Sequence, residues 1–141
     1  MRIAFAADHA GVGLKDQLVA QAQGLGHEVV DLGTHGTTSV DYPDFGRRCA
    51  EAVAEGTVDR GVVVCGTGIG IAMAANKVPS VRCALVHDVT TARMARLHND
   101  ANMMALGARI VGSQVADDCL MAFVETAFEG GRHQARVDKI G

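Results

Sequence analysis

The stretch Gly61–Gly70, GVVVCGTGIG, leaves few choices of fold. Val62–Val64 is a β-branched apolar run, too short for a helix, and it reads as a buried strand. Gly66, Gly68 and Gly70 then open a tight loop into an apolar helix beginning near Ile69. A buried strand that passes directly into a helix is half of a βα unit, and parallel strands built this way need helices on both faces. Cys65 thereby falls at a strand's carboxyl end. It faces backbone N–H groups and the positive end of a helix dipole, a setting that favours the thiolate.

The remaining chain repeats the unit. Arg2–Ala7 is strand-like, and after Asp8-His9-Ala10-Gly11 the segment Leu14–Ala22 has apolar positions at helical spacing. Gly24 and Gly26 stop that helix, Glu28–Leu32 gives a second strand, and Tyr42-Pro43 starts a helix with the apolar stripe Phe45, Cys49, Ala52 and Val53. The helix after Cys65 runs to about Asn76. Arg82–Val86 is a fourth strand, with a helix from Val89 to about His98, for which Asp88 is the expected N-cap. Asn102–Leu106 is a fifth strand, and Ser113 is placed to cap a helix over Gln114–Phe128. Gly130-Gly131 then releases a basic tail, Arg132–Lys139. The alternation predicts one α/β domain over residues 1–141, with a doubly wound, Rossmann-like, five-stranded parallel sheet and helices on both faces.

Ligands in such folds bind at the carboxyl ends of the strands. Asp8 and His9 follow the first strand, Tyr42 lies beyond the second, Cys65 and Thr67 end the third, and Arg109 follows the fifth. A net charge of −3, with Lys and Arg scattered, argues against nucleic acid or a membrane surface as the main partner and for a small ligand. Met1–Ala7 is cut off by Asp8-His9 too early for a signal segment, and no window approaches about eighteen apolar residues, so a cytoplasmic protein is expected. The four cysteines show no CxxC spacing, which suits free thiols and indicates neither a disulfide framework nor a zinc site.

The glycine loop fails two nucleotide tests. Reading G-x-G-x-x-G from Gly66 or from Gly68 puts Ile71 or Met73 where the last glycine belongs, and no Gly-Lys-Ser or Gly-Lys-Thr occurs, so both the dinucleotide fingerprint and Walker A are absent. What survives is an anion-binding nest for a phosphate or a developing oxyanion, or else a tight turn with no ligand. Beside it, Cys65 is exposed to a ligand by its glycine neighbours and could serve as base or nucleophile, whereas Cys49, Cys83 and Cys119 read as small core residues. His9 sits next to a carboxylate that can fix its tautomer. His98 reads equally well as a site residue or as a histidine placed near a helix C-terminus. Arg132 and Arg136 are spaced to share a helical face and converge on a dianion, or else belong to a solvated tail. His133 falls on another face of that helix and is set aside.

The runs AADHAG (Ala6–Gly11), DYP (Asp41–Pro43), CGTGIGIAMAANK (Cys65–Lys77), RLHNDAN (Arg96–Asn102), GARIVG (Gly107–Gly112) and EGGRHQARV (Glu129–Val137) together resemble the ribose-5-phosphate isomerase B family of sugar-phosphate isomerases, over nearly the whole chain. The resemblance implies a cofactor-free, metal-independent aldose–ketose isomerase acting through a cis-enediolate. It also implies a homodimer or dimer-of-dimers tetramer with sites shared between subunits. By position, Cys65 matches the base that moves a proton between C1 and C2, Thr67 a hydroxyl beside the substrate oxygens, and His98 the group that opens the furanose ring. Asp8, Tyr42 and Asn99 would line the site, with the backbone of Gly66, Gly68 and Gly70 at the enediolate. His9, Arg109, Arg132 and Arg136 match the phosphate-binding set, with His98, Asn99 and Arg109 expected from the neighbouring subunit and the tail, residues 130–141, against the site or a partner.

One branch of that family carries a glutamate after the loop in place of the cysteine. Here Cys65 is present and Ile71-Ala72-Met73 holds no carboxylate, so the thiolate is the expected base. D-ribose 5-phosphate and D-ribulose 5-phosphate are the implied substrates, with allose 6-phosphate, galactose 6-phosphate or a tetrulose 4-phosphate as the alternative. A nucleotide-dependent oxidoreductase is disfavoured by the broken fingerprint, and a non-catalytic partner subunit by the presence of both Cys65 and His98.

Overall fold

Strands and helices alternate in a computed structural model describing residues 1–141. The order is β1 (Arg2–Ala7), α1 (Val12–Gly24), β2 (Glu28–Asp31), α2 (Tyr42–Ala54), β3 (Arg60–Cys65), α3 (Ile69–Ala75), β4 (Cys83–Leu85), α4 (Val89–Asn99), β5 (Met103–Gly107), α5 (Ser113–Glu125) and α6 (Arg132–Ile140). The five strands form one parallel sheet in the order β2-β1-β3-β5-β4. β3 therefore lies at the centre, and Cys65 leaves the sheet from its middle strand.

Alternate residues of the central strands feed two cores. Ile3, Phe5, Ala7, Val62, Val64, Met104 and Leu106 pack against α1, α4 and α5, while Ala4, Ala6, Val63, Cys65, Met103 and Ala105 pack against α2 and α3. Burial on both faces is why these strands read as unbroken apolar runs. The second core is built from small side chains, which draws α2 and α3 close to the sheet beside Cys65. The Lys15 ammonium is wholly buried under β2 and bonds both oxygens of Asp31 at 2.8 Å, tying α1 to the sheet edge.

Several boundaries differ from expectation. Ser113 does not cap α5: the cap position is Gly112, and the Ser113 hydroxyl donates to Gln17 Oε1 at 2.9 Å, tying α5 to α1. α5 ends at Glu125 rather than Phe128, where the buried Arg96 takes the Thr126 carbonyl at 3.1 Å. The basic tail is an ordered helix that docks on its own domain, with His133 and Val137 buried and Glu129 N–H donating to Leu97 O at 3.0 Å. Asp88 does cap α4, accepting from Thr91 N–H at 2.7 Å. No helix is long and apolar enough to cross a membrane.

Candidate active site

The loop after β3 turns on Gly68, whose φ of +80° is a left-handed conformation. A Cβ there would also lie 2.7 Å from Leu85 Cδ1 and 2.8 Å from the Leu106 carbonyl carbon, so only glycine lets the loop press against β4 and β5. The turn brings the Gly68 N–H to Cys65 Sγ at 3.1 Å. Ile69 N–H donates to Thr67 Oγ1 at 3.2 Å, which leaves the Thr67 hydroxyl hydrogen free to donate outward. The N–H groups of Gly66, Thr67 and Gly70 have no acceptor within the chain. Three undirected donors on half-buried or exposed residues, beside the buried sulfur of Cys65, form a cradle for developing negative charge on oxygen.

Around this loop stand the other residues expected at strand ends. Asp8 is buried, and its Oδ1 accepts from Ala10 N–H at 3.0 Å and Gly11 N–H at 3.2 Å, so Oδ2 is the oxygen left for a ligand. His9 Nδ1 accepts from Val40 N–H at 3.2 Å, which assigns the proton of the neutral ring to Nε2 and makes that atom a donor. Tyr42 packs its ring on Gly70, where a Cβ would come within 2.4 Å of the ring. Arg109 lies over Gly66, with a guanidinium nitrogen 3.3 Å from where a Cβ would be. A concavity of about 590 Å³ lies away from this loop, beside β4, lined by Asn76, Val81, Cys83, Asn99 and Ile140 among others.

The remaining candidates lie at the other end of the sheet. α4 descends from Asp88 antiparallel to the strands, so its last residues, His98 and Asn99, sit just before the start of β5. Met103 at that start pairs with Gly61, whereas Cys65 pairs with Gly107 at the far end. The α4–β5 turn is held rigidly: Arg82 bonds the carbonyls of Asn99 and Asp100 at 3.1 and 2.9 Å, and Arg96 bonds Asp100 Oδ1 and Ala101 O at 2.9 and 2.6 Å. Arg132 and Arg136 are exposed, one turn apart on α6, which packs on α4 beside His98. The expected grouping therefore changes. Arg109 belongs with Cys65 in one chain, and Arg132 and Arg136 travel with His98 and Asn99.

Sequence reasoning set His133 aside, yet it is buried and its ring stacks on His98, with centroids 4.2 Å apart and planes at 15°. The signal that could have found it is the i,i+4 pair His133 and Val137, the buried stripe of α6. All four cysteines are free, as expected. Burial pushes Cys49 up to about 12. It also raises Cys83, with the neighbouring Cys49 adding to the effect, and together with Asp88 and Asp118 it takes Cys119 to about 11.

The family model for Ribose/Galactose Isomerase matches residues 3–140. The solved structure of Clostridium thermocellum ribose-5-phosphate isomerase B is similar, with a TM-score of 0.99 and 52% identity, covering 100% of this chain and 95% of that one. Ribose-5-phosphate isomerase B of Escherichia coli is 43% identical over 99% of this chain and 93% of its own length. Galactose-6-phosphate isomerase subunit LacB of Clostridium acetobutylicum is 38% identical over 99% of this chain and 80% of its own. With the match running through both the loop around Cys65 and the His98 turn, the chain belongs to the ribose/galactose isomerase family of sugar-phosphate isomerases.

Proposed function

We propose that the protein interconverts D-ribose 5-phosphate and D-ribulose 5-phosphate through a cis-enediolate, with Cys65 as the base. The observation that carries this reading is the Cys65 loop itself: a sulfur that accepts the Gly68 N–H, ringed by the unengaged N–H groups of Gly66, Thr67 and Gly70. The thiolate takes the proton from C2 of the open-chain aldose, the C1 carbonyl electrons move onto O1, and the cradle holds the charge. The thiol then returns the proton to C1 while the O2 proton passes to O1, leaving the ketone at C2. Removing one such donor typically costs about 3 kcal/mol of transition-state stabilisation. Thr67 donates to the same oxygens, and Asp8 and Tyr42 line the sugar.

Ring opening and phosphate binding draw on the opposite end of a second copy of the chain. His98 assists opening of the furanose, Asn99 orients it, and Arg132 and Arg136 meet the phosphate opposite His9 and Arg109. A single chain cannot close this circle, because Cys65 and His98 stand at opposite ends of one sheet. The unit of function is therefore a homodimer, alone or paired into a tetramer, taking a small sugar phosphate in the cytoplasm.

The runner-up is a paralogue acting on another phosphorylated sugar, such as galactose 6-phosphate, a reading favoured by the 38% identity to the LacB subunit. Turnover measured across four-, five- and six-carbon aldose phosphates separates the two. Highest kcat/KM on ribose 5-phosphate is the expected result. A six-carbon substrate preferred by an order of magnitude or more would overturn the assignment.

A further inference from the structure

His133 is a buried imidazole with no part in the steps above. It is 5% exposed, on a helix whose residues Arg132, Gln134, Ala135 and Arg136 all face solvent. Its Nε2 is buried without a hydrogen-bond partner, the nearest carboxylate oxygen being Glu129 Oε1 at 3.6 Å, outside hydrogen-bond reach. A buried nitrogen left unpaired costs stability, so the contact that this ring makes well is through its face. That face lies on His98, with 4.2 Å between centroids. The platform is itself anchored, since the Glu129 N–H clasps Leu97 O and Val137 fixes the next turn of α6 in the core.

We propose that His133 is a positioning residue that sets the plane of the His98 ring for ring opening, an inference resting on the role assigned to His98 above. His98 occupies the last turn of α4 and is only partly buried, so without a platform its ring has several rotamers open to it. Proton transfer at the furanose needs one of its nitrogens within hydrogen-bond reach of the substrate, and the substrate's sugar is held by another chain that cannot adjust to a wandering ring. The trio His98, Glu129 and His133 also brings ligand atoms within 4.8 Å of one another. Nearly parallel stacked rings, however, cannot both aim in-plane lone pairs at one ion, so the arrangement suits a stack and not a cation.

The test compares His133→Ala with His133→Phe, which keeps a flat ring but no nitrogen. Two rates are read: turnover of ring-closed ribose 5-phosphate, and exchange of the C1 proton of ribulose 5-phosphate with D2O followed by NMR. Ribulose 5-phosphate is open-chain because its O5 is phosphorylated, so its exchange runs through the enediolate without a ring step. The expected result is that His133→Ala slows turnover about tenfold or more with exchange changed less than about twofold, and that His133→Phe returns turnover to within about threefold of the parent. Exchange falling in step with turnover, unchanged turnover in His133→Ala, or a folded His133→Phe as slow as His133→Ala would each overturn the proposal. His98→Asn run alongside separates the two layers. Equal loss of both rates in that variant removes the ring-opening role itself, whereas selective loss in His98→Asn without it in His133→Ala removes only the platform.

Discussion

Two inactive chains should make one active enzyme. Cys65→Ala removes the proposed base at the carboxyl end of β3, and His98→Asn removes the proposed ring-opening group at the base of α4. From Gly61, level with the start of β5, to Cys65 is four residues of strand, about 13 Å. His98 lies still further back along the chain, before Met103, whereas reacting groups must come within about 3–3.5 Å. One chain therefore cannot supply both groups to one sugar. If two chains pack so that the Cys65 end of each meets the His98 end of the other, a mixed dimer holds one intact site and one doubly altered site. Random pairing of equal amounts makes half the dimers mixed, so co-expressed variants should recover about a quarter of the parent's turnover per chain, and the isolated mixed dimer about half. The assay is isomerisation of ribose 5-phosphate by differently tagged chains, co-expressed and purified through both tags. Activity of the mixed dimer no greater than the mean of the two single-variant dimers would refute the shared site.

Other perturbations probe single features. Iodoacetamide at neutral pH should label Cys65 first, with activity lost in proportion, because burial holds Cys49 near 12 and Cys119 near 11; peptide mapping that finds another cysteine modified first would count against this. Gly70→Ala should leave the melting temperature nearly unchanged, since alanine's gain of about 1 kcal/mol in helix propensity offsets the displaced Tyr42 ring, while kcat/KM falls; parental kinetics would show that Tyr42 has no role at the sugar. Asp31 loses free energy to burial, but the bonds from Lys15 and the Gly33 N–H outweigh it and hold its carboxyl below the usual range. Its contribution to stability is therefore present above about pH 4 and fades as pH falls through the lowered value. Lys15→Met should cost about 2 kcal/mol at pH 7, less than for a fully buried pair because Asp31 can rehydrate, and should flatten that acid dependence; equal acid slopes in urea titrations would disprove the link. EDTA should leave the isomerisation rate unchanged, and inhibition reversed by added metal would contradict proton transfer by Cys65 alone.

The fold was legible wherever burial on both sheet faces left an unbroken apolar run. Val62–Val64 announces a central strand because neither face meets water, and the Cys65 loop announces its turn because Gly68 has no alternative. Edges and ends were harder to place. Strand β4 keeps only Cys83–Leu85 of the expected Arg82–Val86, since the Arg82 backbone N–H donates to the Asn102 side-chain oxygen at 2.7 Å instead of to a strand neighbour. α5 stops at Glu125 because Arg96, thirty positions earlier, claims the Thr126 carbonyl, a contact that no local window contains.

The placement of Cys65 and His98 at opposite ends of the sheet was in the sequence, though it requires topology to see. In a parallel sheet, every crossover helix runs back toward the strands' amino ends, so a residue at the end of α4 must lie opposite one at the end of β3. By the same logic Arg109, two residues past β5, had to stand with Cys65 and could not accompany His98. His133 obeys a weaker rule. Its stripe on α6, His133, Val137 and Ile140, has helical spacing, but it opens on a polar residue and only its first two members are buried, so the pattern does not mark the histidine as a packed ring. What holds α6 in place is shape and clasp rather than apolar area: a ring laid on a ring, a backbone bond to Leu97 and a single valine. A helix docked with so little buried surface has little stability of its own to lose. Truncation after Gly131 should therefore leave the thermal melt nearly unchanged and abolish turnover, by removing two arginines and the support of His98 together.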